Sequence, residues 1–354
     1  MGLLESTIRE ISVLDEAARR QARARLDQLV MPHWALGRLM DTAELLAAMT
    51  GTARPSVARK TVVVMAGDHG VTAEGVSKYP AEVTPQMVHG FVAGHAGINV
   101  LAGIAGARVV VVDMGVAGDL SAPVRAGKVI SKRLGPGTAN IARGPAMDRA
   151  TAVRGLEAGI EIARDLADST DLFGAGDMGI GNTTPSSAIV AVLCEAKPED
   201  VTGRGTGIDK QAWERKVQVV RRALEVNKPD ARDPVDVLAK VGGFEIAGLA
   251  GLMLGAAARR KPVLVDGFIS TAGALVAQVL CPLSVAYLLA AHRSVEPGHR
   301  AALERLGKQP LLDLNLRLGE GTGAALAMPL VEASVRVLTE MATFEEAAVS
   351  GAKS

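Results

Sequence analysis

The chain has 354 residues, enough for one large domain or two ordinary ones with an ample core. Hydrophobic residues make up 48% of it and charged residues 22%, which excludes a disordered chain. A formal net charge of +1 and an aromatic content of 3% argue against a nucleic-acid partner, which would call for a basic stripe or stacking platforms.

The N-terminal run MGLLESTIREISVLDEAARR carries Glu5, Glu10, Asp15 and Glu16 among apolar residues at helical spacing. It reads as an amphipathic helix and not as a signal peptide. Ile8, Ile11, Leu14 and Ala18, then Leu36, Leu39, Leu45 and Leu46, carry the helical pattern toward Thr50. Thr50 to Ser56, with Gly51 and Pro55, reads as a linker or turn.

Four short apolar runs follow: Thr61 to Met65, Arg108 to Met114, Asp171 to Phe173 and Pro262 to Val265. Helical segments alternate with them over Pro85 to Ala105, Ala150 to Ala167, Thr184 to Leu193, Gln211 to Val226 and Glu245 to Arg259. Buried strands alternating with helices predict an α/β fold with a parallel sheet covered on both faces. Each strand runs into glycine plus an aspartate, namely Asp68, Asp113, Asp177 or Asp266. The expected topology gathers all four at one sheet edge, where such folds bind ligands. Gly267 to Ala291 has no charged side chain, but Gln278, Pro282 and Ser284 interrupt it; a strand end, a turn and two buried helices are expected there, not a membrane span.

Three glycine loops are candidates for holding an anion on backbone N–H groups. Gly174 to Gly179 satisfies G-x-G-x-x-G, with Glu195 at a suitable distance. This keeps open a dinucleotide-binding enzyme or a nonenzymatic nucleotide-binding module, although the next helix starts late for such a turn. Gly203 to Gly207 precedes the helix that carries Lys216. The third loop, Arg317 to Leu326, sets one carboxylate, Glu320, between Gly319 and Gly321 where an apolar helix begins. The positive end of that helix is expected to keep Glu320 ionised and to limit its basicity.

The six histidines give no metal-ligand pattern. His89 and His95, six residues apart on one helix, would point about 120° away from each other. Asp68 and His69 lack a third ligand, and His292 and His299 flank a polar loop. Cys194 and Cys281 lie far apart in apolar runs, which suggests a reducing compartment and a cytoplasmic location.

Several of these stretches together resemble the nicotinate-nucleotide:dimethylbenzimidazole phosphoribosyltransferases of cobalamin lower-ligand assembly. They are Gly67 to Val71, Glu74 to Ser77, Tyr79-Pro80, Val83-Thr84, Gln86 to Val88, Met178 to Pro185, Gly203 to Gly207, Asp266 to Ser270, His292 to His299, and Leu312 to Leu314 running into Arg317 to Gly323. The resemblance implies a Rossmann-like α/β domain over 55–320, a smaller helical domain from 1–54 plus 321–354, and a homodimer. It implies no metal or redox cofactor. It also implies transfer of a phosphoribosyl group from nicotinate mononucleotide to 5,6-dimethylbenzimidazole, with Glu320 as the catalytic base. Ser77, Tyr79, Gln86 and Met87 would border the base, and Gly179, Gly205, Lys216, Asp266, Gly267 and Ser294 would hold phosphate and ribose. Asp177, a possible secondary acid, stands where the family carries glutamate and is shorter by a methylene.

Overall fold

The computed structural model describes residues 2–350. The first residue of the expected N-terminal helix and the last four of the expected helical unit, 351–354, lie outside the described residues.

The valine-rich run after the linker has no polar face, and as strand β1 (Lys60–Gly67) it is buried along its whole length. Such a strand needs a neighbour on each side and helices above and below. Its neighbours are β2 (Ala107–Gly115) and β4 (Leu172–Met178), both parallel to it. With β3 (Val129–Ser131), β5 (Val263–Val265) and β6 (Leu288–Ala290) they form a sheet of order β3-β2-β1-β4-β5-β6. Every pair in it is parallel. The chain winds outward from β1 in one direction and from β4 in the other, so the crevice outside their carboxyl ends is the natural binding position. A separate parallel pair, β7 (His292–Ser294) and β8 (Leu312–Leu316), lies beyond β6 in the chain.

Helix Phe244–Ala258 covers one face of the sheet, where Gly248 abuts Met65. Helix Thr322–Glu340 covers the other, where Ala324 and Met328 lie over Gly174. That last helix also reaches a second apolar cluster through Leu338, which packs with Ala22, Leu26, Leu29, Met40, Ala43 and Ala47.

Four expectations change. The N-terminal run forms two helices, Leu3–Glu10 and Glu16–Leu26, because Asp15 caps the second by accepting from the N–H groups of Ala17 and Ala18. The run Val83–Ala105 has the length and apolarity of a membrane-crossing helix. The chain breaks it at Gly94 (φ +81°) into Val83–Ala93 and Gly97–Ala105, each too short to cross. In Gly267 to Ala291 a single helix, Phe268–Leu280, is followed by a 3₁₀ turn and β6, and not by a second helix.

The fourth change concerns function. Gly174, Gly176, Asp177 and Met178 belong to β4 itself and not to a loop after it. A Cβ at Gly176 would stand 2.5 Å from the Glu320 carbonyl oxygen, so this glycine exists to let the 319–321 turn lie on the strand. The dinucleotide reading loses its phosphate-binding turn.

Candidate active site

The turn that carries Glu320 is built from backbone constraints. Gly319 (φ +82°), Glu320 (φ +62°) and Gly321 (φ +85°) are all left-handed. Glycine adopts that conformation freely, whereas a glutamate there stores strain of roughly 1–3 kcal/mol. Two bonds hold it: Glu320 N–H donates to the Asp177 carbonyl at 3.1 Å, and Gly321 N–H donates to Asp266 Oδ2 at 3.2 Å. Glu320 is buried, at 4% exposure of the residue, and its Oε2 accepts the Ile98 N–H at 3.1 Å.

The helix that follows does not act on Glu320 in the expected way. At its start the Gly321 and Ala324 N–H groups go to Asp266, the latter to Oδ1 at 2.9 Å. Burial dominates at Glu320 and raises its pKa above the ordinary glutamate range; the Ile98 N–H opposes this and the Asp266 charge adds to it. Glu320 is therefore a stronger base than the helix-dipole argument predicts.

A cavity of about 310 Å³ opens outside the carboxyl ends of β4 and β5. Its floor is Asp177 to Thr183 with Gly267 to Ile269; its walls are Val76, Ser77, Tyr79, Gly205, Thr206, His292, Ser294, Glu296 and Arg317 to Gly319. Asp177 is the floor's acid. Its Oδ2 accepts from the Asn182 amide at 2.9 Å, and its buried Oδ1 has no partner among the described residues. Burial first, and then the negative charge of Asp266, push its pKa well above the usual carboxylate range. Burial thus favours its protonated form more than that of an ordinary carboxyl group.

All four strand-end aspartates are buried, but only Asp177 lines the cavity. Asp68 accepts the Ala117 N–H, and Asp113 those of Gly115 and Val116, so both serve loop structure. Asp266, expected among the ribose and phosphate ligands, is fully buried between the helix start and His292, 3.7 Å away. It supports the Glu320 turn and does not face the cavity.

On the opposite wall the 203–207 loop is tied on three sides. Gly205 N–H donates to Glu296 Oε1 at 2.9 Å, Arg317 Nη1 donates to the Gly205 carbonyl at 3.1 Å, and Lys78 N–H donates to Thr206 Oγ1 at 3.0 Å. The expected anion donor at Gly205 is thus already engaged. Lys216 is fully buried behind this wall and donates to Thr183 Oγ1 at 2.6 Å. Burial lowers its pKa to about 8, against the raising effect of Glu296.

Of the residues singled out in the sequence, Ser77, Tyr79, Asp177, Gly179, Gly205, Gly267 and Ser294 meet in one cavity. Glu320 lies just behind its Gly319 edge, and Lys216 behind Thr183. Gln86 and Met87 do not reach it. Gln86 is exposed on helix Val83–Ala93, and Met87 packs against the main core. Sequence reasoning assigned no role to Asn182, Thr183, His292, Glu296 or Arg317, although each stands inside a quoted stretch. Two buried histidines make buried hydrogen bonds: His69 pairs with Glu245 at 2.8 Å, and His299 Nδ1 accepts the Ser294 N–H at 2.9 Å.

A protein-family model described as Phosphoribosyltransferase matches residues 11–349. A nicotinate-nucleotide:dimethylbenzimidazole phosphoribosyltransferase from Syntrophotalea carbinolica is 63% identical over 353 residues, covering 100% of each chain. One from Desulfotalea psychrophila is 56% identical over 351 residues, covering 99% of each. The crystal structure of the Thermus thermophilus enzyme superposes with a TM-score of 0.89 at 48% identity, covering 96% of this chain and 100% of that one.

Proposed function

Because this chain belongs to the nicotinate-nucleotide:dimethylbenzimidazole phosphoribosyltransferase family, we propose that it transfers the phosphoribosyl group of nicotinate mononucleotide to 5,6-dimethylbenzimidazole. The products are nicotinate and α-ribazole 5′-phosphate, the latter for the nucleotide loop of cobalamin. The observation that carries the reading is the Gly319-Glu320-Gly321 turn. It holds a buried, basic carboxylate at the edge of a cavity sized for a small aromatic base and a sugar phosphate.

Neutral dimethylbenzimidazole has one bare ring nitrogen and one N–H. The bare nitrogen forms a bond to the ribose anomeric carbon while the bond to nicotinate breaks, and the electron pair of that bond neutralises the pyridine nitrogen. Attack from the face opposite the leaving group inverts the centre. The acceptor ring gains positive charge, and its N–H proton passes to Glu320. Oε2 is held by Ile98, while Oε1 accepts no hydrogen bond among the described residues and is the oxygen that takes the proton. Such general-base assistance is worth about 10²–10⁴-fold. Asp177, whose protonated form is favoured by burial, offers a hydroxyl donor toward the bound ligands.

Ser77 and Tyr79 border the acceptor base. Gly179, Thr183, Gly267 and Ser294 surround the sugar phosphate, with the Lys216 charge beneath Thr183. The reading includes a homodimer, a cytoplasmic location and a small helical unit drawn from both ends of the chain. Within 321–354, the first turns of helix Thr322–Glu340 go with the α/β unit, because they cover β4. The test is incubation with nicotinate mononucleotide and dimethylbenzimidazole, with both products resolved by mass. Nicotinate and α-ribazole phosphate in equal amounts are expected, and the absence of both overturns the reading.

A further inference from the structure

Glu296 has no part in the reaction described above, yet its placement is unusual. It is 6% exposed, and its Oε1 fixes the Gly205 N–H. Its Oε2 is buried without a partner among the described residues and lies against Gly203. Glu296, Gly205 and Arg317 also line a second cavity, of about 640 Å³, on the far side of the 203–207 loop. A buried carboxylate oxygen without a hydrogen-bond donor is costly and calls for a compensating charge nearby.

The Lys216 ammonium supplies that charge. It faces Thr183 from helix Thr183–Leu193, and a Cβ on Gly205 would stand 3.1 Å from its Nζ. Among the described residues, Glu296 is the single charged group acting on it, and none comes from helices Pro198–Val201 and Pro234–Val241, which also pack on its helix, Lys210–Asn227. We propose that Glu296 is a positioning residue: through its charge and its bond to Gly205, it keeps Lys216 an ammonium ion and holds the 203–207 loop for the phosphate of the donor nucleotide. This rests on the reading above that Lys216 supplies positive charge to the phosphate.

A charge effect and a packing effect separate by pH. Lys216 is protonated below about 8. Removing the Glu296 charge lowers that titration, so phosphate affinity is lost first at alkaline pH. At acid pH Lys216 stays charged in either protein, and the donor loses a nearby negative charge that repels it. Glu296→Gln, which retains an acceptor for Gly205, is therefore expected to have a KM for nicotinate mononucleotide equal to or below wild type at about pH 6.5, rising to roughly five- to tenfold above it at about pH 8.5. The titration of the phosphate itself is common to both proteins and cancels in the ratio.

The Lys216 titration is read directly from its ¹³Cε resonance in ligand-free protein, assigned by its loss in Lys216→Met. A downward move of about one pH unit in Glu296→Gln is expected, together with the rising KM ratio. Glu296→Asp, which keeps the charge but gives up reach to Gly205, is expected to show a wild-type pH dependence with a uniformly raised KM. An unmoved Lys216 titration in Glu296→Gln overturns the proposal. So does a KM ratio that is raised but flat with pH, which marks a packing role alone. A moved titration with an unchanged KM at all pH values overturns instead the assignment of Lys216 to the phosphate, and with it the positioning role.

Discussion

Asp266 Oδ2 accepts the backbone N–H of Gly321 at 3.2 Å, one residue beyond the proposed base, and its Oδ1 takes the Ala324 N–H. A single carboxylate at the end of β5 therefore fixes the start of helix Thr322–Glu340 and the strained turn before it. In Asp266→Asn only one amide atom can accept, and the other meets an N–H donor to donor. A stability loss of about 1–3 kcal/mol is expected by chemical denaturation. Turnover should fall at least tenfold, since small displacements of a reacting group are costly. Unchanged stability and turnover would show that the turn holds without Asp266.

Glu320→Gln tests the base itself. The amide keeps the size of the side chain and an acceptor for Ile98 but cannot take the proton. Expected is a loss in kcat of roughly 10²–10⁴-fold with nucleotide binding and melting temperature near wild type. Near-normal turnover removes Glu320 from the chemistry.

Gly174 and Gly176 sit two positions apart in β4, yet they carry different loads. A Cβ at 176 would meet the Glu320 carbonyl oxygen at 2.5 Å and its carbon at 2.7 Å, both backbone atoms that cannot rotate away. A Cβ at 174 would meet Met328 Cε at 3.0 Å and the Ala324 and Val62 side chains at 3.2 Å, where the methionine end can give. Gly176→Ala is expected to lower kcat/KM by about 10²-fold or more, and Gly174→Ala by less than about tenfold, in steady-state assays. Equal effects would mean that contact with the turn does not govern activity.

These two glycines also show where sequence reading stops. The valine runs of β1 and β2 were legible as strands, because the buried stretches Lys60–Gly67 and Val111–Gly115 leave no polar period to misread. Gly174-Ala175-Gly176 read as a loop because its cause, the turn at 319–321, lies far along the chain. β5 was legible although it has only three residues, whereas β6 is hidden inside a long apolar stretch, and β3, β7 and β8 carry polar or exposed residues and form no apolar run. In the site, the motif stretches contain most of the residues that line the cavity. They could not show that Asp266 takes the helix-start amides, that Gly205 N–H is already bonded, or that Gln86 faces outward, since each depends on which atoms meet in three dimensions.

Asp177 gives a stability signature separable from catalysis. Its pKa is raised in the folded protein by burial and then by the Asp266 charge, while in the unfolded chain it titrates near the ordinary value of about 4. Between those two values the folded state holds a proton that the unfolded state has lost. Raising pH through that window therefore favours unfolding, and above the folded-state pKa the loss stops growing. Asp177→Asn cannot ionise but preserves the shape and the contact with Asn182. The difference in melting temperature, variant minus wild type, is thus expected to increase as pH rises from about 4 and then to level off, with the variant the more stable at neutral pH. In the proposed mechanism Glu320, not Asp177, takes the proton, so the same variant should lose less than about tenfold in kcat, against the far larger loss in Glu320→Gln. A melting difference that stays flat with pH would show that Asp177 is ionised in the folded protein. A kcat loss matching that of Glu320→Gln would transfer the proton-accepting role to Asp177.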